Sequence, residues 1–263
     1  METKVIVITG STRGIGLGMA TEFLKRGHHV AINGTSQKSV DVALEKLSMY
    51  SSQLIGIPGS VTKLSTHERL FDQTCERFGK VDIWINNAGI TTSNKMTVDL
   101  DKKAIKDVYD INIKGMTLGT LLALRKMKDQ GYGKIFNMEG FGSDGRMMPK
   151  MTIYGTSKYA VRYFTRSMAR EVEGSPVQIG ALSPGMVITD LIINSMDKTD
   201  LVAYEQTKKI FNILGEKVET VTPFLVEGLL KSTKNNDRIA YLSGLKVMWK
   251  FLKSRFKKNE FFK

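Results

Sequence analysis

The stretch that most constrains this chain lies at its start: Thr9-Gly10-Ser11-Thr12-Arg13-Gly14-Ile15-Gly16. It follows a continuous apolar run, Lys4–Thr9, of the kind found in strands buried on both faces. It opens a helical pattern, Ile15–Arg26, that Gly27 ends. Gly10 permits a tight turn, and Gly14 and Gly16 let backbone approach a pyrophosphate at the helix N-terminus. The spacing is G-x-x-x-G-x-G rather than the commoner G-x-G-x-x-G. Any turn can be glycine-rich, but one placed between a first strand and a first helix points to a dinucleotide site.

The rest of the chain repeats the strand-then-helix pattern. Strands are expected at His29–Asn33, Gln53–Ile57, Val81–Asn86, Lys134–Met138, Val177–Leu182 and Arg238–Leu242. Helices are expected at Ser39–Leu47, Ser65–Phe78, Leu100–Asp129, Met151–Glu173 and Glu216–Lys231, with Ile188–Leu214 irregular or loosely helical. Repeated β-then-α units imply right-handed crossovers and a parallel seven-stranded sheet with helices on both faces. With 263 residues, 41% of them apolar, and no linker or repeat, one α/β domain over residues 1–244 is the simplest reading.

Composition narrows the function classes. The lone cysteine, Cys75, excludes an intramolecular disulfide and a cysteine-based metal site, and fits a reducing compartment. The opening METKVIVITG reads as a strand rather than a signal peptide, so a cytoplasmic location is expected. No apolar stretch reaches the roughly 18 residues of a membrane-spanning helix. Of the net charge of +13, +6 lies in residues 245–263, which hold seven basic residues and one acidic residue, and only +7 in the first 244. A nucleic-acid-binding surface is therefore not required.

Cofactor choice is read after the second strand. An Asp or Glu there would hold the ribose 2′-hydroxyl of NAD. Here the chain reads Asn33-Gly34-Thr35-Ser36-Gln37-Lys38, without an acid. A 2′-phosphate would meet the hydroxyls of Thr35 and Ser36, the Lys38 ammonium and the Arg13 guanidinium, so NADP is expected.

Tyr154 and Lys158, in Tyr154-Gly155-Thr156-Ser157-Lys158, are four apart and share a helix face. A nearby ammonium is expected to lower the phenol's pKa and fit Tyr154 for general acid catalysis. Alone, such a pair is common on surface helices. Combined with the glycine loop, NNAG (86–89), the Asn of DIN (110–112) and SPGMVIT (183–189), it makes residues 4–242 resemble the short-chain dehydrogenase/reductase family. The resemblance implies a Rossmann-type fold and hydride transfer between a nicotinamide cofactor and a carbonyl or alcohol. It implies Asn112 as a helix-kinking asparagine that holds a relay water, and Lys158 on the nicotinamide ribose. It also implies Asn87, Ala88 and Gly89 along the cofactor, and Pro184, Gly185, Val187 and Thr189 around the nicotinamide. Ser60, with Val61, stands where the family has an acidic residue near adenine.

One departure concerns the family's catalytic serine, usually 13 positions before the tyrosine. That position is Phe141, and the loop after Asn137 appears one residue longer than usual. Ser143 is then either a replacement oxyanion donor or a turn residue. Glu139 either supports the site from behind or is a solvated strand end. The loop FNMEGFGSDG and the later SPGMVITDL resemble the chlorophyll b reductase subgroup, which reduces a formyl group on a tetrapyrrole. That implies a bulky apolar carbonyl substrate, with Ile188–Leu214 as the lid.

In residues 245–263, helical spacing puts Leu245, Trp249, Leu252 and Phe256 on one stripe beside Lys246, Lys250, Lys253 and Lys257. Either the helix lies on a membrane surface, or its stripe packs on the domain or a partner subunit and its lysines are solvated. The second is the simpler expectation. A homo-oligomer joined through Leu100–Asp129 and Met151–Glu173 is expected from the resemblance. The reading opposed to a carbonyl reductase is a non-catalytic NADP(H)-binding or membrane-surface scaffold of the same fold.

Overall fold

The computed structural model describes residues 2–190 and 201–254. A seven-stranded sheet has the order β3-β2-β1-β4-β5-β6-β7, every neighbouring pair parallel. The strands are β1 (Val5–Ile8), β2 (His29–Gly34), β3 (Leu54–Pro58), β4 (Ile83–Asn86), β5 (Gly133–Met138), β6 (Val177–Ser183) and β7 (Arg238–Ala240). The helices between them are α1 (Gly14–Lys25), α2 (Gln37–Lys46), α3 (Leu64–Phe78), α4 (Lys102–Tyr109), α5 (Met116–Gln130), α6 (Thr152–Glu171), α7 (Leu201–Leu214), α8 (Val218–Lys231) and α9 (Gly244–Ser254).

The apolar strands sit where their pattern requires. Ile6 and Ile8 of β1 face one hydrophobic layer, with Met19 and Phe23 of α1 and Leu225 and Leu229 of α8. Val7, between them, faces the other layer with Leu70 of α3, Met127 of α5 and Ala169 of α6. Both layers are buried, which is why β1 shows no polar alternation.

Inside the second layer runs a ladder of polar side chains. Trp84 Nε1 donates to Asn86 Oδ1 (2.9 Å), and Asn86 Nδ2 donates to Thr120 Oγ1 (3.0 Å) and Asn137 Oδ1 (2.8 Å). Asn137 Nδ2 then donates to Thr165 Oγ1 (3.0 Å). All five residues are buried, and the bonds join β4, β5, α5 and α6. A buried network of this kind is tolerable because its members satisfy one another.

The long helix expected over Leu100–Asp129 is interrupted. A π-helical segment, Asp110–Gly115, separates α4 from α5. Such π-bulges are frequent at functional sites. The segment expected to be irregular or loosely helical contains the regular helix α7, while positions 191–200 of that expected lid lie outside the described residues, as do 255–263 of the expected C-terminal helix. Among the described residues, no helix is long and apolar enough to cross a membrane.

The C-terminal helix contradicts the expectation that its lysines are all solvated and that its stripe packs on its own domain. Lys246 and Lys250 turn inward: Lys250 Nζ pairs with Glu216 Oε1 (2.6 Å) and reaches the Leu214 and Gly215 carbonyls at the end of α7. Lys246 Nζ lies 3.3 Å from the Tyr241 ring centroid. The apolar stripe does not pack on the domain. Leu245, Trp249 and Leu252 are all exposed. Three strong attractions on one face — an ion pair, carbonyl contacts and a cation–π contact — outcompete burial of the other.

Candidate active site

Strand order reverses between β1 and β4, and the loops leaving their carboxyl ends open a crevice there. Those loops are stapled together. Thr9 Oγ1 accepts from the backbone N–H groups of Asn87 (3.0 Å) and Ala88 (3.1 Å). Asn87 Nδ2 donates to the carbonyls of Thr9 (3.0 Å) and Gly10 (2.9 Å). Gly10 has a positive φ of 60°, and a Cβ on it would lie 2.7 Å from Ala88 Cα, so only glycine fits.

The crevice widens into a cavity of about 770 Å³. Gly10, Thr12, Arg13, Gly14, Ile15 and Gly16 line one end. Helix α1 starts there with no side-chain cap from Arg13 and no acid in its first turn. Its first N–H groups are available to an anion. Thr35, Ser36 and Lys38 line the same end, and no acidic side chain follows β2 among the lining residues. Arg13 and Lys38 are exposed and make no ion pair among the described residues. Ser60, Val61, Asn87, Ala88, Gly89, Pro184, Gly185, Val187 and Thr189 also line the cavity, as the sequence led us to expect. Opposite Gly14, Thr189 Cγ2 lies 3.6 Å from where a Cβ would stand. A glycine-walled slot beside an uncapped helix terminus fits a dinucleotide pyrophosphate.

Ser11 departs from expectation. It is buried, its Oγ donates to the Ile8 carbonyl (2.6 Å) and accepts from Asn33 N (2.9 Å), and it does not line the cavity. It joins β1 to β2 instead.

At the other end, Tyr154 and Lys158 line the cavity from the first turns of α6. Lys158 is 4% exposed, and its Nζ donates to the Met138 carbonyl (3.0 Å) and lies 5.8 Å from the Tyr154 ring centroid. Burial pushes the Tyr154 phenol up to about 12. Burial also brings the Lys158 ammonium down to about 8, against the opposing charge of Glu139. Desolvation of the phenolate thus shifts Tyr154 in the direction opposite to the lowering expected from Lys158.

Asn112, in the π-segment, is buried and does not line the cavity. Its Oδ1 accepts from Ile90 N (2.9 Å), while its Nδ2 donates to the Ile90 carbonyl (2.9 Å) and Ser157 Oγ (2.9 Å). It ties the loop after β4 to α6 and so holds Gly89 beside Lys158. A Cβ on Gly89 would stand 3.3 Å from Asn112 Oδ1 and 3.4 Å from Lys158 Nζ.

The structure also decides what stands in front of Tyr154. A Cβ built on Gly140 would lie 2.4 Å from Tyr154 Oη, so position 140 faces the phenol and carries no side chain. Phe141 lines the cavity. Ser143 does not: it is 3% exposed, and its Oγ donates to Glu139 Oε2 (3.3 Å). The oxyanion-donor reading of Ser143 therefore finds no support in its placement, because a buried carboxylate holds the hydroxyl away from the cavity.

Glu139 is the residue whose weight the sequence understated. Its side chain is 1% exposed, and Oε2 accepts from Arg238 Nε (2.8 Å). Its Oε1 makes no hydrogen bond and lies 4.0 Å from Arg162 Nε. The signal available beforehand was an acid directly after the predicted strand Lys134–Met138.

The comparisons with known proteins agree with this geometry. A family model described as short chain dehydrogenase matches residues 4–200. The chain is 35% identical, over 92% of its length and 72% of the relative's, to chlorophyll(ide) b reductase NOL, chloroplastic, of Oryza sativa subsp. japonica. It is 30% identical, over 98% of its length, to probable chlorophyll(ide) b reductase NYC1, chloroplastic, of Arabidopsis thaliana, and spans about half (54%) of that protein. The crystal structure of levodione reductase superposes with a TM-score of 0.81 at 24% identity, covering 94% of this chain and 99% of that one. Structures described with different cofactors fit comparably: a Brucella melitensis 3-ketoacyl-(acyl-carrier-protein) reductase with NADH (TM-score 0.78, 23% identity, 93% and 99% covered) and ElxO with NADP (0.75, 24%, 91% and 98%).

Proposed function

The chain belongs to the short-chain dehydrogenase family, and on that premise we propose that it is an NADPH-dependent reductase of a carbonyl group on a bulky apolar substrate. The single observation that carries this reading is the convergence, in one cavity, of the glycine-walled helix terminus with Tyr154 and Lys158. Preference for NADPH is supported by Arg13, Thr35, Ser36 and Lys38 at the cavity end where no acid follows β2. The substrate class is supported by the apolar lining at the far end, which includes Phe141, Met148, Met151, Met186 and Phe211. A formyl group on a tetrapyrrole is the candidate suggested by the relatives' names.

In this mechanism the nicotinamide cofactor, when bound, supplies the hydride. Tyr154 Oη gives its proton to the carbonyl oxygen as that oxygen gains negative charge, so the carbonyl becomes an alcohol. The high pKa of the free-protein phenol keeps that proton in place until substrate arrives. Lys158 positions the ribose and, when charged, stabilises the phenolate left behind. Asn112 holds Gly89 and α6 in register with these groups. With Gly140 opposite the phenol, no side-chain hydroxyl at that position shares the oxyanion. Residues Tyr159 and Tyr163 stand exposed on α6, which supports a homo-oligomer formed through that helix.

The test is equilibrium titration with NADPH and NADH, followed by NADPH oxidation against formyl tetrapyrroles and smaller ketones. NADPH should bind tighter by more than about tenfold, a gap of roughly 1.4 kcal/mol. Tyr154→Phe should lose about 10²–10⁴ of the turnover while still binding NADPH. Tighter NADH binding would overturn the phosphate-end assignment. Turnover unchanged in Tyr154→Phe would overturn the mechanism.

A further inference from the structure

Helix α9 leaves water in contact with side chains that ordinarily avoid it. Leu245 is 72% exposed and Trp249 68%, and Met248 and Leu252 are exposed beside them. Their spacing of three and four residues makes one continuous stripe. The helix cannot roll to bury that stripe without breaking the contacts of Lys246 and Lys250 with Tyr241, Glu216 and the end of α7. The domain therefore holds the helix with its apolar face outward.

We propose that this stripe docks on an anionic phospholipid bilayer, lying in the interfacial layer with Trp249 at headgroup depth. Charge selects this occupant. Lys246 and Lys250 are taken up by the domain, but residues 245–263 hold five further basic residues against one acidic one, and of these Lys253 is exposed beside the stripe. A second copy meeting this face about a two-fold axis would bring the same positive charge against itself. An anionic surface attracts it instead, and an interfacial helix with a Trp-containing apolar face and basic flanks suits that surface. The placement also has a use that rests on the reading above. Helix α9 packs against α7, and Thr207 and Phe211 of α7 line the cavity. An apolar substrate dissolved in lipid would then be taken up beside the membrane.

The chain's two tryptophans make the test direct, because Trp84 is fully buried and Trp249 is exposed. Purified protein is mixed with phosphatidylcholine vesicles, with and without about 30 mol% phosphatidylglycerol, and followed by co-sedimentation and tryptophan emission. The expected result is sedimentation with the anionic vesicles only, weakened by salt, with a blue shift that Trp249→Phe removes. Trp249→Glu should lower partitioning by at least about tenfold. Emission from Trp84 reports that each variant is folded. The proposal is overturned if anionic vesicles leave the protein in solution or if Trp249→Glu binds them unchanged. It is equally overturned if Trp249→Glu dissolves a dimer of a protein that ignores vesicles, which would assign the stripe to a second copy. None of these readouts needs cofactor or turnover, so their failure leaves the reductase reading untouched.

Discussion

The two ends of the cavity are built by different means. The phosphate end is made of backbone: glycines, an uncapped helix start and two loops stapled by Thr9 and Asn87, with charged side chains only at its open rim. The chemical end is made of side chains, the half-buried Tyr154 and the buried Lys158 and Glu139, of which burial shifts the first two and Arg238 pairs the third. Backbone tolerates change in what surrounds it. A group of buried ionisable side chains does not, because each charge depends on the next.

The strongest way to break this contrast is Lys158→Met. It should lower turnover by about a hundredfold or more, and it has a second signature in stability. The folded protein releases the Lys158 proton near pH 8 and the unfolded chain near 10.5, so the unfolded state binds more protons in that window. Lys158 therefore makes the wild-type protein gain stability as pH rises through it, by up to about 1.4 kcal/mol per pH unit. Denaturant unfolding from pH 7 to 10 should show this slope in the wild type and lose it in the variant.

At the phosphate end the effect should be smaller and selective. Replacing Arg13 and Lys38 together by alanine should weaken NADPH binding by about tenfold, roughly 1.4 kcal/mol, and leave NADH binding nearly unchanged. Equal weakening of both cofactors would show that these side chains act on the pyrophosphate rather than at the rim. Smallest of all, Ser143→Ala should change turnover by less than about threefold, because its hydroxyl belongs to Glu139. A loss of about a hundredfold would return Ser143 to the oxyanion.

Legibility from sequence followed the same division. Glycine loops announce themselves, since few other residues accept those turns, and the parallel seven-stranded sheet followed from the repeated units. The π-segment at Asp110–Gly115 does not show in helical periodicity, and only the resemblance, through the Asn of DIN, implies a kink at Asn112. It is tied across the chain by the Asn112 amide on Ile90, a contact between residues 22 apart. Counting back from the tyrosine gives Phe141, but the structure brings Gly140 to the phenol, one residue earlier, in keeping with a loop one residue longer than usual after Asn137. The C-terminal helix was read correctly as amphipathic. Which face turns inward was decided by Glu216, at a distance no periodicity reports.

The ladder from Trp84 through Asn86 and Asn137 to Thr165 has a consequence for how such a reductase can diversify. It clamps the end of β5 to α6, the helix that carries Tyr154, so the position of that phenol is set from the interior. Only the exposed stretch 144–149 of the following loop, clear of Gly140, Gly142 and Ser143, is then open to change without disturbing the phenol. New substrates can be tried on a frame that does not have to be relearned each time.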